Sequence, residues 1–414
     1  MTEQIYDFLH DIEYKLDRDR EWKQHIIDGV QTNILTDLLD YVRANTEFYS
    51  DVKKSDISLF PVVNKQILKE NHEKFFVKSY ADKKTVKKST SGSTGIPFTV
   101  VHCMDKWCRH VADLKYFGQL AGYKDREAMC YFRAMPTASE EAQRRDNFWQ
   151  LDICNLSDEN LSNYYHFMME KKCVALLAYA SSLETAVNFW SKKFPENKLY
   201  VKSVICISET LTDEVRSKLE DYFGEDVQIR SRYSNTENGI LGQEVGVPGN
   251  YFLNWASYYF EVLKMDSDEP AEEGELGRIV VTDLYNRAFP MIRYDTGDVA
   301  KIVRPKNDFP YLTDLFGRRM DLIRTAKGNV VSPFLVSQTM KCAKNVAQWQ
   351  FIQKSLTDYI IKIVVEKGQE KPNCEEGIRK FKDILGEDIN ITLEYVDEVP
   401  VLNSLKRKLI ISEL

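Results

Sequence analysis

Between about residue 45 and residue 300, short β-rich runs (KSVICIS, DVQIRSRY, YYFEVL, GRIVVTDLY) alternate with helical stretches such as SSLETAVNFWSKKF. Runs rich in Val, Ile, Tyr and Phe fit a pleated, half-buried surface, and helices between them carry the chain back across a sheet. The alternation predicts an α/β domain. Ahead of it, Ile34, Leu35, Leu38, Leu39 and Val42 fall at helical spacing in NILTDLLDYVRANTEFY, which predicts an amphipathic helical cap. Beyond Pro333 the pattern restarts. DYIIKIVVE reads as a strand, CEEGIRKFKDIL places Ile378, Phe381 and Leu385 on one helix face, and INITLEYV alternates as another strand. These segments predict a small α+β tail domain. The joint falls within FGRRMDLIRTAKGNVVSP, where charges and Gly328 break the apolar pattern, so the expected domains are 1–319 and 320–414.

A chain of 414 residues has room for both. Its formal net charge of -7 argues against a polyanion as the main partner, although a local basic patch could still hold a phosphate. The expected partner is small, with no nucleic acid and no membrane. The eight cysteines include no C-x-x-C pair, so reduced, buried thiols are expected rather than a zinc ribbon. The opening MTEQIYDFLHDIEYKLDRDREW is charged throughout and lacks a signal-peptide core, and no apolar run is long enough to span a bilayer, which reads as a cytoplasmic protein. Six scattered histidines give a hydrolase triad nothing to rest on.

KKSTSGSTGIPFTV (87–100) packs five hydroxyls and two glycines, Gly92 and Gly95, into the span from Ser89 to Gly95. Such a stretch can be an ordinary surface turn between strands. It can equally converge backbone N–H groups and hydroxyls on phosphate oxygens, because glycine lets the chain approach closely. The spacing is not that of a Walker loop, since the glycines are three apart and no Lys follows Gly95.

Four further stretches follow in order: RYSNTENG (232–239), MIRYDTGDVA (291–300), FGRRMDLIRTAKGNVVSP (316–333) and VPVLNSLKRKLIIS (399–412). With STSGSTGIP they resemble the signature motifs of the adenylate-forming superfamily of acyl-CoA synthetases and adenylation domains. FPVVNKQILKEN, LLAYASSLETAV and VICISETL make the chain most similar to the phenylacetate-CoA ligase branch and its capsule-biosynthesis-associated relatives. The resemblance implies a large, multi-layer α/β adenylation domain with a small, mobile α+β lid. It also implies a reaction in which a carboxylate attacks the α-phosphate of ATP, pyrophosphate leaves, and the acyl-adenylate passes to CoA or another acceptor.

The same resemblance assigns residues. Ser91, Gly92, Ser93, Thr94 and Gly95 would surround the β- and γ-phosphates, with the Thr94 hydroxyl near Mg²⁺. Tyr233 matches the ring that stacks on adenine, in a stretch continued by Ser234, Asn235 and Thr236. Glu237 matches the carboxylate that holds Mg²⁺, a hard cation suited to oxygen ligands and phosphates. Asp298 matches the acceptor of the ribose hydroxyls, Arg318 the arginine approaching ribose and phosphate, and Lys406 the lid lysine that bridges carboxylate and α-phosphate. Arg407 and Lys408 are rival cations beside Lys406. Ser208 and Glu209, in VICISETL, are implied to line the acid pocket, where Tyr131, Phe132 and Tyr179 would suit an aryl or other apolar acid. Departures from the family pattern are Ser234 for Gly, Ile96 for Lys after the second loop glycine, Met320 at the hinge and Leu405 for Gly. ATP and Mg²⁺ are the implied cofactors. For the acceptor, CoA stands beside an amine or sugar, and a nucleotide-binding protein without turnover is the reading from another class.

Overall fold

The computed structural model describes residues 1–90, 98–133, 136, 138–317, 323–326, 330–331, 336, 339–340, 343–399 and 408–414. Ser91, Gly92, Ser93, Thr94, Gly95, Ile96, Arg318, Met320, Leu405, Lys406 and Arg407 lie outside the described residues. Backbone packing divides the chain into two units, one of Met1–Thr296 with Ala300–Thr313 and one of Gly297–Val299 with Asp314–Leu414. The expected joint at 319/320 also falls outside the described residues.

The first unit opens with helices Thr2–Asp17, Arg20–Ile27 and Asn33–Asn45. Asp19 starts the second by accepting a hydrogen bond from Trp22 N at 3.0 Å, an N-cap that satisfies one of the free amides of the first turn. Leu35, Leu38, Leu39 and Val42 of the third are fully buried, as their spacing predicts.

Thirteen strands follow: β1 Thr85–Thr90, β2 Phe98–Cys103, β3 Met129–Arg133, β4 Phe148–Asp152, β5 Ala175–Ala178, β6 Ser203–Ile207, β7 Gln228–Asn235, β8 Gly239–Glu244, β9 Tyr251–Leu253, β10 Tyr258–Leu263, β11 Leu276–Asp283, β12 Tyr294–Val303 and β13 Tyr311–Thr313. The β1 and β2 strands form a separate antiparallel pair, with Thr90 opposite Phe98, so the hydroxyl-rich stretch joins two paired strands. The other eleven form one sheet in the order β10-β11-β12-β13-β9-β8-β7-β6-β5-β3-β4. Strands β4, β3, β5, β6 and β7 run parallel, which requires crossovers, and helices Asp158–Glu170, Ala180–Lys193 and Asp213–Phe223 lie among those crossovers.

Strand alternation sorts the side chains. Cys130, Phe132, Leu176, Val204 and Ile229 enter a core with Leu161, Leu183 and Trp190 from the crossover helices. Met129, Ala175 and Ile205 enter a second core on the other face, with Tyr131, Leu177 and Tyr179 packed against it.

In the second unit, β16 Val346–Gln353, β17 Asp358–Val365, β18 Asn390–Tyr395 and β19 Ile410–Ser412 form a four-stranded sheet in the order β18-β17-β16-β19, preceded by the short pair β14 Ile323–Arg324 and β15 Val330–Val331. Helix Glu375–Leu385 buries Phe381 and Leu385 against Phe351, Tyr359, Ile361 and Ile363. Glu375 and Glu376 occupy its first turn, where acidic side chains complement the helix dipole.

Candidate active site

Strands β3, β5, β6 and β7 end together at the carboxyl edge of the parallel part of the sheet, the place where open α/β sheets receive ligands. Pairing sets Tyr131, Leu177, Ile205 and Arg230 side by side on one face. Two residues further along the same face come Arg133, Tyr179, Ile207 and Arg232. Ser208 follows with φ 65°, an unfavourable value for a residue with a Cβ, and Glu209 N donates to Ile207 O at 2.8 Å across it. That tight turn brings the Glu209 carboxylate to the start of helix Ala180–Lys193, where it accepts from Ser181 N at 2.9 Å. Phe132 must be withdrawn from the expected pocket. As the neighbour of Tyr131 it points to the opposite face, where its fully buried ring meets Trp190 and Tyr164 edge-on.

The second part of the site is the turn after β7. Pairing with β8 slips between Tyr233 and Ser234, a bulge that re-aims the residues that follow. Asn235 Oδ1 accepts from Asn238 N at 2.7 Å and closes the turn. Within it Ser234 and Asn235 are half-buried and Thr236 is exposed, whereas Glu237 is buried. Glu237 Oε1 has the Tyr294 hydroxyl at 3.5 Å and Lys65 Nζ at 3.4 Å. The Tyr233 hydroxyl donates to Thr296 Oγ1 at 3.2 Å. Tyr294 and Thr296 belong to MIRYDTGDVA on β12, separated from β7 by three intervening strands in the sheet order, so the fold brings two of the motifs into direct contact. Asp298 is half-buried further along β12, within the short Gly297–Val299 stretch assigned to the second unit.

A buried polar layer supports the turn. His102 Nε2 sits 2.8 Å from the Glu237 carbonyl, and burial, followed by the charge of Lys106, pushes the imidazole down to about 4, so it is neutral at physiological pH. Lys106 Nζ lies 2.7 Å from Asp283 Oδ2 as an ion pair that lacks hydrogen-bond alignment, and it donates to the Tyr258 hydroxyl at 2.8 Å. Tyr258 in turn donates to Asn238 O at 2.7 Å. Both backbone carbonyls of the Glu237–Asn238 segment are thus held from below.

Sequence reasoning passed over His102, Lys65, Tyr294, His110, Lys88, Arg133 and Arg232. Some left a readable trace: Lys65, Lys88, Arg232 and Tyr294 lie inside stretches already singled out, and Arg232, like Arg230, puts charge on a parallel strand, where both faces are normally apolar.

Among the described residues no cluster of three or more His, Cys, Asp or Glu side chains forms a metal site, and no helix is long and apolar enough to cross a membrane. Of the tail cations, Lys408 is described and half-buried, its carbonyl accepting from Gln350 Nε2 at 2.8 Å. A surface depression of about 580 Å³ in the second unit is lined by Lys344, Glu370, Lys371, Glu375 and Arg379 among others, and none of the motif residues borders it.

Comparison with known proteins agrees with this architecture. Residues 323–413 match the CapK C-terminal domain family. Protein CapK of Staphylococcus aureus is 22% identical over 418 residues, covering 93% of this chain and 89% of CapK. Indoleacetate–lysine synthetase of Pseudomonas savastanoi is 32% identical over 34% of this chain and 32% of its own, and phenylacetate-coenzyme A ligase of Pseudomonas putida 25% identical over 44% and 41%. Among solved structures, 2-hydroxyisobutyryl-CoA ligase in the postadenylation state superposes with a TM-score of 0.74 at 13% identity, over 97% of this chain and 91% of that one. The fold is that of the adenylate-forming ligases. Along nearly its whole length the chain is similar to CapK, and over parts of it to ligases of the adenylate-forming kind.

Proposed function

We propose that this ligase activates a small carboxylic acid as its acyl-adenylate at the expense of ATP, releasing pyrophosphate, and then passes the acyl group to CoA. The observation that carries the reading is the meeting of Tyr233 with half-buried Thr296 and of buried Glu237 with buried Tyr294, which joins the adenine motif to the ribose motif. In this reading Ser91, Gly92, Ser93, Thr94 and Gly95 hold the β- and γ-phosphates, Tyr233 takes the adenine, Asp298 and Arg318 take the ribose, and Lys406 bridges the attacking carboxylate and the α-phosphate. Preorganised donors aimed at the leaving pyrophosphate stabilise its charge as it develops.

The residues suit a nucleotide-borne Mg²⁺. Such an ion keeps water and phosphate ligands and needs only one or two protein oxygens. Glu237 is a buried carboxylate whose side chain meets one hydroxyl and one cation, and with Thr94 it would hold the metal, which when bound neutralises phosphate charge.

A second acceptor has its own support. The similarity to indoleacetate–lysine synthetase, by its name a ligase of an acid to an amine, favours an amine in place of CoA. Pyrophosphate exchange into ATP, with Mg²⁺ and without CoA, across aryl, aliphatic, amino and sugar acids tests the first half-reaction. AMP release that depends on CoA then selects the first acceptor, and adenylate formation without CoA capture selects the second. ATP binding without exchange for any acid would overturn the ligase reading in favour of a nucleotide-binding protein.

A further inference from the structure

The face of the sheet that carries Tyr131 and Tyr179 also carries Arg133 and Arg232, and with Lys88 of the separate β1–β2 pair they make three cations that form no ion pair with an acid among the described residues. Arg232 is buried, with 7% of its surface exposed. Its Nε donates to Gln243 Oε1 at 2.9 Å, and its Nη2 is buried without a hydrogen-bond partner among the described residues. Burial alone draws its guanidinium down to about 9, with no carboxylate opposing the shift, and it stays charged at neutral pH. Lys88 stands over the Trp107 ring at 4.7 Å, and Arg133 over the Tyr131 ring at 5.9 Å. Neither forms an ion pair among the described residues. In a chain of net charge -7, three cations with no acid paired to them among the described residues form a local exception.

His110, on helix Met104–Leu120, joins them. Its Nδ1 is buried and unpartnered among the described residues. Burial first, then the charges of Lys106, Lys88 and, further down, Arg232, hold it neutral. Its place depends on Gly239, where a Cβ would come within 2.6 Å of His110 Nδ1. An unpaired buried cation is costly to retain in a fold unless something compensates it, and perturbed titratable groups that converge at a ligand edge mark functional sites.

Orientation says which ligand. Successive residues of a strand point to opposite faces, so Arg232 faces away from Tyr233, the residue read as the adenine partner, and toward the face of Tyr131, Arg133 and Tyr179. On the adenylate-forming reading, that is the acid side of the site. We infer that the acid this protein activates carries a second anionic group, a carboxylate or a phosphate, bound by Arg232 with His110 beside it and Lys88 and Arg133 adding positive potential. The inference rests on the ligase reading and changes its substrate class. The aryl or apolar body suggested by the sequence keeps the ring faces of Tyr131 and Tyr179, while one end of the molecule is charged.

The test is pyrophosphate exchange by the full-length protein with matched acids: 4-carboxyphenylacetate against its 4-methyl ester, glutarate against monomethyl glutarate, and 4-phosphonophenylacetate. At least one doubly anionic acid should exceed its monoanionic partner about 10²-fold or more in kcat/KM, because a site built for a charged group strongly rejects the analogue that lacks it. Preference for the phosphonate over the dicarboxylates assigns the second group as phosphate, and the reverse as carboxylate. Arg232→Gln should collapse the ratio toward 1, and Arg232→Lys should restore part of it. Should Arg232→Gln fail to fold, the wild-type ratio still decides. Equal or better use of the monoanionic acids by the wild type overturns the inference and leaves the ligase reading standing. So does an Arg232→Gln variant that raises KM for ATP while keeping its acid preference, since the cation then serves the nucleotide. Silence with every acid, with ATP still bound, overturns the ligase reading and the inference with it.

Discussion

Lys65 Nζ lies 3.4 Å from Glu237 Oε1, so a half-buried ammonium stands against the buried carboxylate proposed to hold Mg²⁺. An ammonium and a divalent ion compete for the same oxygen. Replacing Lys65 with Met should lower the Mg²⁺ concentration for half-maximal pyrophosphate exchange by about threefold, the scale of a partly exposed ion pair. Glu237→Gln should instead lower exchange about 10²-fold and raise the Mg²⁺ requirement. A Mg²⁺ titration of both variants checks the pair of outcomes, and an unchanged Mg²⁺ dependence in Glu237→Gln would remove Glu237 from the metal site.

His102 makes stability depend on pH. Its folded value of about 4 lies below the ordinary 6.5, so on acidification the unfolded chain takes up a proton before the folded one does. The stabilisation is therefore complete above about pH 6.5 and is lost as pH falls from there toward 4, with His110 acting in the same direction. For His102 the loss between pH 7 and pH 5 is about 2 kcal/mol. Guanidinium unfolding at the two pH values should show a smaller drop in His102→Asn than in wild type, by about that amount.

The Lys106–Asp283 pair has both side chains fully buried. Removing one partner leaves the other charge uncompensated, so Lys106→Met should cost about 3–5 kcal/mol. The double variant Lys106→Met with Asp283→Leu should recover much of that loss, because a well-packed apolar pair avoids the desolvation penalty altogether. Chemical denaturation of the two single variants and the double supplies the cycle. Equal destabilisation in all three would show that the pair acts through packing and not through charge.

The sequence carried the architecture further than the site. Strands such as KSVICIS and DVQIRSRY and the helix within CEEGIRKFKDIL are local: their own apolar period decides them, and they fold as read. The contact of Tyr294 with Glu237 joins residues 57 apart, and no periodicity encodes it; only the order of motifs hinted that the two stretches belong together. Phe132 shows the reverse limit. Composition marked it as one more aromatic near the pocket, yet the two-residue period of β3 gives Tyr131 to the ligand face and Phe132 to the core, a distinction that needs the register. Arg232 is given no role by sequence alone, although it opens RYSNTENG, because a charged residue reads as solvated until its burial is known.

Gly239 follows the Glu237–Asn238 segment with φ +112°, in the region that favours glycine, and a Cβ there would stand 2.6 Å from His110 Nδ1 and 3.3 Å from the Tyr258 hydroxyl. Gly249 has a comparable φ of +81° but open space around its Cβ position. Alanine at Gly249 should therefore cost only the backbone strain, about 1–2 kcal/mol. Alanine at Gly239 adds to that strain a collision with an imidazole packed in a full interior, about 1–3 kcal/mol more. Truncating the imidazole in Gly239→Ala/His110→Ala should return the steric part and leave the backbone part. Thermal unfolding of these variants separates the two costs. If Gly239→Ala proves no less stable than Gly249→Ala, then His110 moves aside freely, and it cannot serve as a fixed element of the acid side of the site.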